Sequence, residues 1–270
     1  MKRFSFSAVT GFTTNTLILA VTAFLLAFSN GSMVRRVLEI YPLSTANAPA
    51  VLSLVLTVGG VTVLMLGLLC FKGSTKPVLI TLLLLSSLAA YFMDNYGVII
   101  SDDMLRNVAH TNTAEALDLF SLKLMVYIGL LGIAPAAAVA RVPVQWRGWR
   151  KESVAGLKLL GITLALVIGT VLLFGSFYAS FLREHKELRQ RANPVYFMSS
   201  AMKFARQSFE STSNRPMVVV GADAVIPPTD LTRELVILVV GETARADHFS
   251  LNGYERDTNP RLRQVNVFSA

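Results

Sequence analysis

The amino-acid sequence predicts a multi-pass α-helical membrane domain of five helices, followed by the start of an α/β domain. Three observations carry this reading. Of the 270 residues 53% are hydrophobic and 16% charged, against about 25% charged in an ordinary soluble domain. The charges are unevenly spread: 20 of them serve residues 1–180, while 22 serve the last 90 residues. The apolar residues also fall in runs of the length that crosses a bilayer, about 20 residues. Disorder is excluded by the apolar content. A disulfide scaffold is excluded because Cys70 is the one cysteine.

Five stretches qualify as spans. The first covers about 12–34, within an uncharged run from Phe4 to Val34. It exceeds the 7–15 residues of a signal-peptide core, so a retained anchor is expected. The second covers 49–71, and the third, about 77–93, is short but unbroken. The fourth covers about 120–140, with Lys123 placed where a long side chain can snorkel. The fifth covers about 158–182. The transmembrane domain is therefore 1–182, with a bridging segment at 183–230 and the opening of the α/β domain at 231–270.

Lys and Arg in the short loops set the orientation. A cytoplasmic N-terminus places Lys2, Arg3, Lys72, Lys76, Arg141, Arg147, Arg150, Lys151 and Lys158 inside, and Arg35, Arg36, Arg106 and Lys123 outside. Residues beyond 182 then lie across the membrane, which in a Gram-negative cell is the periplasm. The net charge of +8 reads as a topology signal. No basic stripe with interleaved aromatics marks a nucleic-acid surface.

Between the third and fourth spans, Asp102 or Asp103 can cap a helix from about Met104. Asn107, Thr111 and Glu115 then share one face at i, i+4 and i+8. Two readings stand side by side: the wet face of an interfacial helix, or a polar pocket for a lipid head group with Glu115 toward a cationic amine. His110 reads as an interface residue rather than a ligand.

The bridging segment reads as helical pieces broken at Asn193-Pro194. Phe197, Met198, Met202, Phe204 and Phe209 suit either the bilayer surface or packing against the domain. After a polar linker at 216–230, the run Leu235 to Val240 suits a strand buried on both faces. Glu242 stands just beyond its C-terminal end, where such sheets gather ligands, and is either a hard oxygen ligand for a divalent metal or a helix-start carboxylate. Arg245, Asp247 and His248 follow closely. Asn252-Gly253 signals a turn, and Thr258-Asn259-Pro260 a helix start.

The string ILVVGETARADHFSLNGYERDTNPRL at 237–262 closely resembles the phosphoethanolamine–lipid A transferases, a family that includes the enzymes behind transferable polymyxin (colistin) resistance. The resemblance covers the whole chain. It implies an inner-membrane protein whose periplasmic hydrolase-type domain belongs to the alkaline phosphatase/sulfatase superfamily. The activity implied is zinc-dependent transfer of phosphoethanolamine from phosphatidylethanolamine to a phosphate of lipid A, with no obligate protein partner and no nucleic acid. By resemblance Glu242 is a zinc (Zn2+) ligand, and Asn107, Thr111 and Glu115 are substrate-pocket residues. The family's threonine nucleophile, its other zinc ligands and its disulfides are expected after Ala270, so the 270 residues alone are expected to be inactive. A phosphoglycerol transferase or sulfatase-like membrane enzyme, a transporter, and a non-catalytic membrane fragment are the rival readings.

Overall fold

The computed structural model describes residues 11–112, 119–211 and 245–265, together with the single positions 117, 221, 223, 225 and 237. The chain divides into two compact units, Met1–Arg215 and Pro216–Ala270.

The first unit is helical. α1 (Thr14–Phe28) opens where the Thr13 hydroxyl accepts the Thr16 N–H at 3.2 Å, a side-chain cap for one orphan donor. α1 stops at Ser29 and α2 (Gly31–Ile40) leaves at 58° to it, so the first expected span is a bent pair. α3 (Ala48–Leu69) carries Pro49 in its first turn, where a missing N–H costs nothing. α4 (Thr75–Tyr96) ends at Gly97, whose φ of +68° is the left-handed C-cap that glycine adopts freely. α5 (Asp102–His110) lies between spans.

α6 spans Leu122–Arg141 but changes pitch midway. Residues Ile128–Ile133 form a π-helical stretch directly ahead of Pro135. Proline has no N–H to give the carbonyl four residues back, and the wider turn accommodates the loss. α7 (Trp149–Leu173) begins nine residues before the expected 158 and ends at Phe174. The remainder of the expected fifth span is a separate helix, α8 (Gly175–Glu184). α9 (Lys186–Gln190) and α10 (Val195–Ser211) flank the expected break at Asn193-Pro194. Four helices are long and apolar enough to cross a membrane, or five when α1–α2 counts as one span, among the described residues.

α1, α3 and α4 share a core of Leu17, Ile18, Leu25, Val63, Leu66, Leu79 and Leu83. α3 also packs along α7, where a Cβ on Gly60 would overlap the Val167 Cγ2 methyl, so only glycine permits this approach. Tyr178 of α8 bridges to α3, its hydroxyl 2.7 Å from Thr57 Oγ1 and 3.2 Å from Ser53 Oγ.

At the α1–α2 bend a polar knot replaces apolar packing. The Asn30 side chain accepts the Asn193 N–H at 2.9 Å and donates to the Asn193 carbonyl at 2.7 Å and the Leu25 carbonyl at 2.9 Å. Asn193 Nδ2 donates to the Ser29 and Ser86 carbonyls, joining α1, α4 and the bridging segment. Buried Arg191 donates to Ser32 Oγ at 2.7 Å and to the Gly97 carbonyl at 3.0 Å.

In the second unit, residues 245–265 form three short 3-10 turns. The Asn252-Gly253 turn is present, with φ of +94° at Gly253. The helix expected from Thr258 is a turn followed by the 3-10 stretch Leu262–Gln264. Thr258 does not cap it. Its hydroxyl accepts the Ser250 N–H at 3.0 Å and donates to the His248 carbonyl at 2.7 Å. No strand occurs among the described residues. The run from Leu235 to Val240 lies outside them except for Ile237.

Candidate functional site

α5 and its C-cap carry Asn107 and Thr111, the two substrate-pocket candidates that the structure describes. The N-cap of α5 is Ser101, whose Oγ accepts the Met104 N–H at 3.2 Å. Neither Asp102 nor Asp103 caps it; both sit in the first turn, where carboxylates favour the positive end of the helix dipole. Two contacts tie α5 to α10. Lys203 Nζ lies 2.8 Å from Asp102 Oδ2, and Arg106 Nη2 donates to Gln207 Oε1 at 2.9 Å. The Lys203 hydrogen bond holds the Asp102 carboxyl below its ordinary pKa, and the same contact raises Lys203. Ser101, Lys203 and Gln207 were not selected from sequence. The signals for them were the Ser-Asp-Asp start and the i, i+4 spacing of Lys203 and Gln207.

The helix ends at His110, so the expected i, i+4, i+8 row is not one continuous helical face. Thr111 is the C-cap, in extended conformation (φ −65°, ψ 132°). Its Oγ1 donates to the Asn107 carbonyl at 2.8 Å. The structure thus keeps Asn107 and Thr111 together, both exposed, at the end of α5. With its hydrogen used internally, the Thr111 hydroxyl offers lone pairs to a donor such as an ammonium, and the exposed Asn107 amide offers both a donor and an acceptor. Glu115 lies outside the described residues, as does Glu242.

Asp247 is bracketed by its neighbours. Arg245 donates through Nε at 3.0 Å and Nη2 at 2.6 Å, and His248 Nδ1 lies 3.1 Å away. The Arg245 bonds first, and His248 second, lower the Asp247 carboxyl to about 2. That carboxylate is engaged by the Arg245 guanidinium. Among the described residues no three His, Cys, Asp or Glu side chains converge on a cation position.

Of the bridging apolar residues, Phe197 is buried in the core and Met198 packs against it, whereas Met202 and Phe209 are exposed.

A family model described as phosphoethanolamine transferase EptA/EptB matches residues 58–209, a range that contains α5 with Asn107 and Thr111. Phosphatidylethanolamine transferase Mcr-1 of Escherichia coli is 37% identical over 253 residues, covering 92% of this chain and 47% of that protein. Phosphoethanolamine transferase EptA of Escherichia coli K12 is 32% identical over 244 residues, 88% of this chain and 44% of that one. The solved integral membrane protein lipooligosaccharide phosphoethanolamine transferase A (EptA) from Neisseria meningitidis superposes with a TM-score of 0.81 at 26% identity, over 92% of this chain and 46% of that one. The chain therefore spans about half the length of the curated relatives it matches. With these relatives and helices that can cross a bilayer, it is an integral membrane protein, and it belongs to the phosphoethanolamine transferase EptA/EptB family.

Proposed function

We propose that this chain is the membrane portion of an enzyme that moves phosphoethanolamine from phosphatidylethanolamine to a phosphate of lipid A in the inner membrane. The observation that carries this reading is the family match across residues 58–209, which embraces α5. Residues beyond α8 face the periplasm in this reading, in line with the excess of Lys and Arg in the opposite loops.

Asn107 and Thr111 present oxygen acceptors and an amide at the end of α5, suited to an ethanolammonium and its phosphodiester, with Glu115 as the countercharge. The contacts of Asp102 and Arg106 to Lys203 and Gln207 anchor the start and middle of α5, so that head-group binding does not also order that part of the helix. Glu242 is assigned as a zinc ligand through the resemblance of GETARADH. Zinc, when bound, stabilises charge developing on phosphate oxygens and lowers the pKa of a bound hydroxyl. The product carries an added amine, which weakens Coulombic attraction of cationic polymyxins to the outer surface.

The test is mass spectrometry of lipid A from cells expressing the full-length enzyme. A phosphoethanolamine adduct is expected, and a phosphoglycerol adduct would favour the sister chemistry instead. Glu115→Ala is expected to lower transfer at least tenfold, the order that a lost positioning contact costs, with zinc content retained. Glu242→Ala is expected to lose both. Unchanged turnover in Glu115→Ala makes the α5 end a wet surface only.

A further inference from the structure

The first turns of α7 carry a feature that the transfer chemistry does not use. Arg150, Lys151 and Lys158 line a groove of about 380 Å3 with Val154 and Ala155. Among the described residues no carboxylate forms an ion pair with any of the three. Two other cations at this end of the bundle already have partners. Lys76 Nζ donates to the Ala140 carbonyl at 2.7 Å, and Lys72 Nζ sits 5.4 Å over the Trp146 ring.

The groove faces away from the protein. At 3.6 residues per turn, the stripe of 150, 151, 154, 155 and 158 lies on the face opposite that of Gly156, Leu160, Thr163 and Val167. Leu160, Thr163 and Val167 are the α7 residues that meet Gly60 and Gly67 of α3. Only 6% of the most apolar stretch of α7 is buried within the molecule. Val154, Leu157 and Ile162 are 52%, 69% and 69% exposed, which continues the groove into an apolar surface. Lys158 stands eight residues deeper than Arg150, about 12 Å at the helical rise. It reaches the groove as a snorkelling side chain.

We propose that this groove seats the head group of an anionic phospholipid, a phosphodiester with no compensating amine, with its acyl chains along Leu157 and Ile162. Charge complementarity selects the occupant: among the described residues, three cations with no ion-paired carboxylate, the neighbouring Glu152 accepting the Arg147 N–H instead, lie beside an apolar track and fit one or two phosphodiester groups. A zwitterionic head group would bring its own ammonium toward Arg150 and Lys151. Juxtamembrane Lys and Arg draw anionic lipids, with a substantial gain per cation near the surface. The site concerns α7 alone and stands or falls independently of the transferase reading.

Native mass spectrometry of the purified chain, titrated with phosphatidylglycerol, cardiolipin and phosphatidylethanolamine of matched acyl chains, tests it. Phosphatidylglycerol or cardiolipin is expected to bind at least about fivefold tighter than phosphatidylethanolamine. The tighter of the two identifies a one-phosphate or a two-phosphate head group. The preference is expected to vanish in Arg150→Gln/Lys151→Gln/Lys158→Gln, to fall at least twofold in Lys158→Gln alone, and to persist in Lys72→Gln/Lys76→Gln. Equal binding of the zwitterionic lipid by the parent chain overturns the proposal. So does equal loss of preference in the two multiple variants, which would make it a property of general charge.

Discussion

α4 and α7 are both long enough to cross a bilayer, with mean hydropathy of 1.7 and 2.2 over their most apolar stretches. Half of that stretch is buried within the protein in α4, against 6% in α7. The more apolar helix is thus the less buried one. Hydropathy measures compatibility with hydrocarbon, and lipid satisfies that as well as a neighbouring helix does. Close packing needs small residues and interhelical hydrogen bonds. α4 has Ser86, Ser87, Ala89 and Ala90 buried, with the Ser86 carbonyl accepting from Asn193. In α7, Gly161 and Gly169 face open space, and Leu172 is 76% exposed. A small residue marks an interface only where a neighbour approaches it.

The largest expected effect tests the packed side at its polar knot. Asn30→Ala removes three hydrogen bonds to Leu25 and Asn193 and leaves their backbone groups buried. At about 1 kcal/mol for each bond, a loss of about 3 kcal/mol is expected, read as a lowered melting temperature in detergent. An unchanged melt would mean that water enters the bend freely and that α1, α4 and the bridging segment are not coupled there.

The next effect compares the two helices directly. Leu83→Ala in α4 empties a fully buried position. The loss of dispersion contacts and the cavity left behind are expected to cost about 2 kcal/mol. Leu172→Ala in α7 is expected to stay within about 0.5 kcal/mol, because lipid replaces the lost contacts. Equal costs in the same melting assay would place both helices in one environment and end the contrast.

The spans were legible in the sequence because each is an uninterrupted apolar run, and chain length against bilayer thickness is a coarse test that survives errors of several residues. The bend between α1 and α2 was not, since Ser29 and Asn30 are uncharged and the run continues through them. At the bend the buried polar groups meet Asn193, 163 residues away from Asn30, a contact no local reading of the sequence shows. The early start of α7 at Trp149 was missed because Arg150, Lys151 and Glu152 break the apolar run but not the helix. At the candidate site, spacing brought out Asn107 and Thr111 as a pair. The stop at His110 has a local signal in Thr111-Asn112-Thr113, three poor helix formers, which the i, i+4, i+8 spacing overrode.

The smallest effect contrasts the apolar helices with the polar segment 245–259. α4 has no carboxylate between Thr75 and Met93, and α7 none between Ser153 and Leu173, so acid finds nothing to titrate within these stretches. Asp247 is different: Arg245 and His248 hold its carboxyl at about 2 against an ordinary 3.8. Its ionised form is the one that these neighbours favour. The contribution to local order is therefore complete above about pH 4 and is lost as the pH falls toward 2. Carbon NMR of labelled aspartate in the intact chain is expected to show Asp247 titrating near 2, with the midpoint rising toward 3.8 in Arg245→Ala. The helical signals of residues 75–93 and 153–173 should stay constant over the same range. A midpoint near 3.8 in the unsubstituted chain would mean that solvent screens the Arg245 contact entirely, as it does for many exposed ion pairs.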